Sequence, residues 1–292
     1  MKKKRKIPVS KIFVYFILAG IGFVYLYPVL YMIVNSFLSA GDLTDPSVTW
    51  IPTELCFDNF STAFETLDFF KSFGMSMLMS LIPAVLQTAV TAVIAYGLAR
   101  FHIPFKKVIL VLILITFLLP TQVMLAPRYV LFDTYHLTDT IWAQFLPALF
   151  GQGLNSAIFI FVYYSYFVSY PVVLDEAAEI DGAGKWKIFL KVSLPMAKGA
   201  IILSMLFSFV FYWNETYLSN TLWGGKIQTL PLKLQSFTLQ YEALYGKEAA
   251  GSISESVSLA GTLLSILPLL VMYLIFQRQF VESIESTGIT GE

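Results

Sequence analysis

The chain has 292 residues, of which 57% are hydrophobic and 13% charged, with a formal net charge of zero and a mean hydropathy of +0.71. Soluble domains carry about 25% charged residues, so this composition indicates an integral membrane protein. The balanced charge, without a basic surface interleaved with aromatic residues, argues against a nucleic-acid partner.

Six apolar segments are each long enough to cross a bilayer, which takes about 20 helical residues. The first follows the basic run at 2–6, and it is longer than the apolar core of a signal peptide, which has about 7–15 residues. We therefore expect an uncleaved first span. The spans are predicted at 12–37, 72–100, 107–130, 142–168, 198–221 and 256–277.

The distribution of lysine and arginine predicts the orientation of these spans. With the N-terminus inside, 14 of the 19 basic residues lie on the cytoplasmic side, and Arg128 is counted among the five outside. Both termini are therefore expected in the cytoplasm. The chain divides into an N-terminal tail, first span and outer loop at 1–70, a transmembrane domain at 71–278 and a cytoplasmic tail at 279–292.

A polar segment separates the fourth and fifth predicted spans. Pro171 suits the first turn of a helix and Gly182 suits its end. At about 100° per residue, Asp175, Glu176 and Glu179 share one arc, opposite small and aliphatic residues. The pattern predicts a short amphipathic helix, and composition alone also allows a solvated loop helix without a partner.

The sequence offers neither an energy source nor a catalytic centre. The segment 182–185 fails as a phosphate loop, because Trp186 stands where a serine or threonine must reach Mg²⁺. His102 and His136 fall on opposite sides of the membrane in the predicted topology, so they cannot form a metal pair. We expect no enzyme activity, metal site or cofactor on this chain.

An ion-coupled secondary transporter is the alternative from another functional class. Ion coupling needs titratable or ion-binding groups near the bilayer midplane, whereas Glu215, the one acid placed inside a span, is expected near the outer interface. We also expect no basic residue in a solute cavity, which argues against glycerol phosphate as cargo. The span centres hold neutral polar residues: Gln87, Thr116, Asn155 and Ser265.

The spacing of the polar segment resembles the EAA motif of the permease subunits of ABC importers. The segments 213–215, 229–232, 264–268 and 277–278 add to the likeness, and together they resemble the maltose-permease-type, carbohydrate-uptake family over nearly the whole chain. Val192 replaces the usual isoleucine. The matching positions are Glu176, Ala177, Ala178, Gly182, Leu194 and Pro195.

The resemblance implies an all-α fold with six transmembrane helices, of the type I ABC importer permease class. It also implies a second homologous permease subunit, two ATPase subunits that bind ATP and Mg²⁺, and an extracytoplasmic solute-binding protein, in the plasma membrane of a bacterium or archaeon. A coupling helix at 171–184 would contact an ATPase subunit. The implied coupling residues are Glu176, Ala177, Ala178, Glu179, Asp181, Gly182, Leu194 and Pro195.

Polar and aromatic residues in and near the spans are candidates for lining the solute pathway, although interhelical hydrogen bonding is the commoner role of an amide in a span. These candidates are Gln87, Gln122, Asn155, Tyr212, Trp213 and Asn214. The family resemblance also implies an outer loop that faces the binding protein at Thr229, Leu230 and Pro231, for which a plain connecting loop is the alternative.

Overall fold

The computed structural model describes residues 9–48, 50–246 and 255–288, and every regular element in those ranges is a helix. The elements are α1 (Val9–Asn35), α2 (Ala40–Thr44), α3 (Asp58–Thr66), α4 (Phe69–Arg100), α5 (Lys106–Leu118), α6 (Thr121–Thr134), α7 (Trp142–Leu149), α8 (Ser156–Ser169), α9 (Val173–Ile180), α10 (Lys185–Ile188), a π-helical turn (Phe189–Ser193), α11 (Leu194–Met196), α12 (Lys198–Asn214), α13 (Tyr217–Trp223), α14 (Leu230–Gln235), α15 (Phe237–Tyr245) and α16 (Glu255–Gly288).

The helices confirm the predicted all-α membrane fold. Three of them are long and apolar enough to cross a bilayer alone: α1 over Phe13–Asn35, α4, and α16 over Glu255–Gln279. Three bent pairs are apolar enough when each is counted as one span, which gives up to six. The pairs are α5 with α6, bent by 99°, α8 with α9, bent by 73°, and the segment Lys185–Met196 with α12, bent by 79°.

The third, fourth and fifth predicted spans are not continuous helices. The third breaks between α5 and α6, where Pro120 disfavours helical geometry at Leu119. The fourth is interrupted at 150–155, and Asn155 precedes α8 with a φ of +54° instead of lying at a span centre. The fifth ends at Asn214, where α12 ends. Hydropathy detects apolar length, and these breaks depend on local backbone geometry.

Contacts within the chain define two compact units. The first comprises the described residues within 1–69 and 236–267. Within it, the buried Asn59 side chain donates hydrogen bonds to the carbonyls of Ser36 and Leu38, at 3.0 and 2.9 Å. These bonds attach α3 to the end of α1. The predicted division of the chain at residues 70 and 278 stays a prediction.

The second unit comprises the described residues within 70–235 and 268–292 and contains both candidate sites. One of its hydrophobic cores joins α4, α8 and the π-helical turn through Tyr96, Phe167 and Phe189. The ring of Tyr96 lies 5.5 Å from that of Phe167 and 4.9 Å from that of Phe189, measured between centroids. This aromatic packing holds the end of α4 against the elements that flank α9.

Candidate coupling and solute-pathway sites

The segment with the EAA spacing folds as α9 followed by a tight turn. The helix begins two residues after Pro171, which lies just before the N-cap residue Val172 instead of in the first turn. Gly182 has a φ of +78°, the left-handed conformation expected of it. The Ala183 N–H donates to the carbonyl of Ala178 at 2.9 Å, which closes the turn. A Cβ built on Gly182 would contact nothing within 4 Å, so this space is open.

Most of the α9 surface is exposed. Glu176, Ala177 and Asp181 are exposed, and so are the apolar neighbours Val173, at 67%, and Ile180, at 87%. Contiguous exposed apolar side chains rimmed by charge are typical of a protein interaction surface. Of the other predicted coupling residues, Glu179, Gly182 and Pro195 are exposed, while Ala178 and Leu194 are partly buried.

Asp175 departs from the predicted acidic arc, because its side chain turns inward. Its carboxylate Oδ2 lies 3.1 Å from Nε of Arg100, and both side chains are only 9% exposed. Its Oδ1 accepts a hydrogen bond from the Tyr170 hydroxyl at 2.6 Å, and that hydroxyl is also 2.6 Å from Oγ of Ser193. We call these four residues, Arg100, Tyr170, Asp175 and Ser193, the Arg100 cluster.

Arg100 has further partners in this cluster. Its Nη2 donates to the carbonyl of Tyr170 at 3.0 Å, and its guanidinium carbon lies 3.8 Å from the centre of the Tyr170 ring. The Tyr170 hydroxyl donates to the Asp175 carboxylate, which can only accept. The cluster therefore joins α9 to the ends of α4 and α8 and to the π-helical turn.

The structural role of Arg100 was not predicted from the sequence. The available signal was its isolation, because Arg100 is the only charged residue from 72 to 105. Glu179, by contrast, forms an ion pair with Lys185 at the surface. Exposed ion pairs contribute little to stability, so this contact leaves Glu179 free to exchange partners.

A cavity of about 460 Å³ lies within the second unit, lined by residues of α5, α6, α8 and α12 and of the breaks between helices. Asn155 and Asn214, two predicted pathway residues, both line it and are both exposed. Gln122 is exposed but does not line it. The cavity thus brings together two of the six predicted pathway residues.

Three other predicted pathway residues are buried away from that cavity. Gln87 donates from Nε2 to the carbonyl of Leu154 at 2.7 Å and accepts at Oε1 from the Tyr212 hydroxyl at 2.6 Å. The Leu154 N–H in turn donates to the Tyr212 hydroxyl at 3.2 Å. Trp213 packs against the rings of Phe73 and Phe209. These contacts favour interhelical hydrogen bonding and packing, and a pathway role for these residues stays a prediction.

No basic residue was expected in a solute cavity, whereas Arg128 on α6 lines this cavity. Its Nη2 donates to the carbonyl of Gln152 at 3.5 Å. Glu215 also lines the cavity, and its carboxylate accepts from the Leu218 N–H at 2.6 Å. Arg128 falls inside the third predicted span, and charged residues inside spans often mark pathways. That signal was available in the sequence.

The loop segment predicted to face a binding protein is largely buried. Thr229 and Leu230 are buried, and Pro231 is partly exposed. The Leu230 N–H donates to Oγ of Ser76 on α4 at 2.7 Å. These contacts fit a loop that anchors α14 to α4, and contact with a binding protein stays a prediction.

Comparison with known proteins identifies the family. A profile described as the binding-protein-dependent transport system inner membrane component matches residues 90–283. The chain belongs to this family. Its membership confirms the resemblance inferred from the EAA spacing.

Curated relatives resemble the chain over almost its whole length. The arabinooligosaccharides transport system permease protein AraQ of Halalkalibacterium halodurans is 27% identical, with 94% of each chain covered. The lactose transport system permease protein LacG of Rhizobium radiobacter is 26% identical, with 96% of each covered. A chain in the crystal structure of a bacterial ABC transporter involved in import of the acidic polysaccharide alginate matches with a TM-score of 0.76 and 24% identity, over 94% of this chain and 98% of that one, and therefore shares its fold.

Proposed function

We propose that this chain is a permease subunit of an ATP-driven importer of carbohydrates, with oligosaccharides as the expected cargo. It forms half of a translocation pathway and receives the motion of an ATPase through α9. The observation that carries this proposal is the exposed surface of α9, ended by Gly182 and attached to neighbouring helices through the Arg100 cluster. Relatives named for arabinooligosaccharide and lactose transport support the cargo class.

The complete transporter contains a second homologous permease subunit, two ATPase subunits that bind ATP and Mg²⁺, and an extracytoplasmic solute-binding protein. It lies in the plasma membrane of a bacterium or archaeon, with both termini of this chain in the cytoplasm. Membership of a family of binding-protein-dependent inner membrane components supports the membrane location and the need for partners.

Coupling proceeds by rigid-body movement of α9. Glu176 and Asp181 offer negative charge to basic or donor groups on the ATPase, and Ala177 and Ala178 permit close approach. Because Asp175 bonds to Arg100 and Tyr170, movement of α9 displaces the ends of α4 and α8 with it. The cavity thereby alternates between opening to the cytoplasm and opening to the outside. Nucleotide on the ATPase subunits and the loaded binding protein outside each shift the equilibrium between these two states.

The proposal is tested by comparing the purified chain in lipid vesicles with the complete transporter. We expect the chain alone neither to hydrolyse ATP nor to transport sugar, whereas the complete transporter does both. Proton- or sodium-driven sugar uptake by the isolated chain would contradict the proposal and favour an ion-coupled secondary transporter.

A further inference from the structure

Three breaks in the helical chain meet at the cavity of the second unit. Leu119 lies at the break between α5 and α6, residues 151–155 lie in the break at 150–155 between α7 and α8, and Glu215 follows the end of α12. Irregular backbone within apolar spanning segments is tolerated where it is buried in protein or lines a water-filled cavity. Breaks of this kind also form solute sites in other transporters. The convergence indicates a hydrated cavity suited to a polar solute.

Glu215, the one acidic residue that lines this cavity, already has backbone hydrogen-bond donors around its carboxylate. The Glu215 carboxylate accepts from the Leu218 N–H at 2.6 Å, and the neighbouring backbone N–H groups of Tyr217 and Ser219 add favourable electrostatic interactions with it. These donors belong to the first turn of α13. Backbone N–H groups at the start of a helix partly compensate a negative charge. Glu215 is therefore held as part of the turn between α12 and α13.

Arg128 is the one basic residue that lines the cavity, and few of its N–H donors have partners among the described residues of the protein. Its hydrogen bond to the carbonyl of Gln152 is 3.5 Å long, at the far limit for such a bond. Within 9–48, 50–246 and 255–288, no carboxylate forms an ion pair with it, in contrast to Arg100. A guanidinium carries five N–H donors, so most of those of Arg128 are available to a solute.

The groups beside Arg128 suit a carbohydrate. The side chains of Gln152, Asn155 and Asn214 line the same cavity and are exposed, and amides both donate to and accept from hydroxyl groups. The planar guanidinium fork matches a carboxylate bidentately. A phosphate dianion would face a single cation with the Glu215 carboxylate in the same cavity, which makes the singly charged carboxylate the better match.

We propose that Arg128 binds the carboxylate of an acidic sugar, so that the cavity accepts carboxylated carbohydrates in preference to neutral ones. The inference rests on the proposed function, since it names the cargo class of the same pathway. Arg128 provides the selectivity for a carboxylate, and Asn155 and Asn214 bind hydroxyl groups of the sugar.

The test uses the complete transporter in detergent without its binding protein, so that selection by that protein does not enter. Equilibrium binding is measured for two disaccharides that differ only in whether C6 of one ring is a hydroxymethyl or a carboxylate group. The variants are Arg128→Gln and Arg128→Lys. The matched control is Lys226→Gln, which removes a cation that pairs with Asp139 outside the cavity. A sugar phosphate is measured in parallel.

We expect the unmodified transporter to bind the carboxylated disaccharide roughly tenfold or more tightly than the neutral one. Arg128→Gln should abolish that preference, Arg128→Lys should retain part of it, and Lys226→Gln should retain all of it.

Equal binding of both disaccharides by the unmodified transporter, an unchanged preference in Arg128→Gln, or tighter binding of the sugar phosphate would each overturn the proposal. ATP-driven uptake of the neutral disaccharide by the reconstituted transporter shows whether the proposed import function holds independently. Failure of the selectivity is thereby distinguished from failure of the function.

Discussion

Two arginines of the second unit lie in contrasting environments. Arg100 is 9% exposed and contacts the Asp175 carboxylate, the Tyr170 carbonyl and the Tyr170 ring. Arg128 lies at an open cavity with one long hydrogen bond, to the carbonyl of Gln152. The same side chain therefore joins structural elements at one site and leaves donors available at the other.

The comparison indicates that burial and the number of partners, more than residue type, decide whether a charged side chain joins structural elements. A buried ion pair needs all its partners, since an uncompensated buried charge is costly. Arg128 is partly exposed at the cavity and forms no ion pair with the part of the chain that the structure describes, so replacing it leaves no buried charge without its partner. The Arg100 cluster should thus fail as a unit, whereas cavity residues should tolerate substitution with graded effects.

The largest effect is expected from Arg100→Ala, which leaves the Asp175 carboxylate buried without its ion-pair partner. Removing one member of a buried pair typically costs about 3–5 kcal/mol. We expect less folded protein and loss of sugar-stimulated ATP hydrolysis, measured by thermal unfolding in detergent and by hydrolysis in vesicles.

The matched control for Arg100→Ala is the double variant Arg100→Gln with Asp175→Asn, which removes both charges and keeps hydrogen-bonding groups. It should regain part of the lost stability, because no buried charge remains unpaired. Unchanged stability in Arg100→Ala would show that the cluster is not a structural junction.

A smaller effect is expected from Gly153→Ala, beside the hydrogen bonds that hold the break between α7 and α8. The added Cβ would overlap Oε1 of Gln87 and the hydroxyl of Tyr212, and it would lie 3.1 Å from Cα of Ala148. Overpacking of this kind costs about 1–3 kcal/mol. Thermal unfolding should detect this loss of stability. Gly184→Ala is the control, because a Cβ at Gly184 meets nothing within 4 Å. Equal stability of the two variants would show that the break is loosely held.

The smallest effect is expected from Asn214→Ala in the cavity. Loss of one hydrogen bond to a sugar costs about 0.5–1.5 kcal/mol, which corresponds to roughly a two- to tenfold rise in KM for transport. Assembly and basal ATP hydrolysis should stay near normal. A parallel loss of assembly and transport would instead identify Asn214 as an interhelical contact and weaken the contrast between the two regions.

Much of the architecture was predictable from sequence. Apolar length indicated the spans, and the EAA spacing located α9 and the left-handed Gly182. The helix breaks were not predicted, because the hydropathy of segments such as 107–130 stays high through Pro120. Breaks of this kind depend on local backbone geometry and on side chains that bond to the backbone groups left without a helical partner. Gln87 does so by donating to the carbonyl of Leu154.

The candidate sites were less predictable, because their composition depends on contacts between residues distant in sequence. Helical periodicity placed Asp175 on the acidic arc, yet its partner Arg100 lies 75 positions earlier in the chain. Likewise, residue type made Gln87 and Asn155 equal candidates for the pathway. Only the packing of α4 against the segment 151–155 separates a buried amide from one that lines a cavity.

The central claim is that the exposed surface of α9 couples this chain to an ATPase subunit. Gly182→Val tests it at a position where the new Cβ meets no atom of this chain within 4 Å. The positive φ strains a β-branched residue by about 1–3 kcal/mol, so the folded fraction of this variant is measured too. Glu176→Lys tests it by reversing an exposed charge. Glu54→Lys, at another exposed position, is the matched control.

The deciding measurement is ATP hydrolysis stimulated by loaded binding protein in the reconstituted transporter, with membrane insertion of each variant measured alongside. We predict that Gly182→Val and Glu176→Lys insert normally but lose stimulated hydrolysis and transport, while Glu54→Lys retains both. Stimulated hydrolysis and transport at the unmodified rate in both α9 variants would contradict the claim and make 171–184 a surface loop.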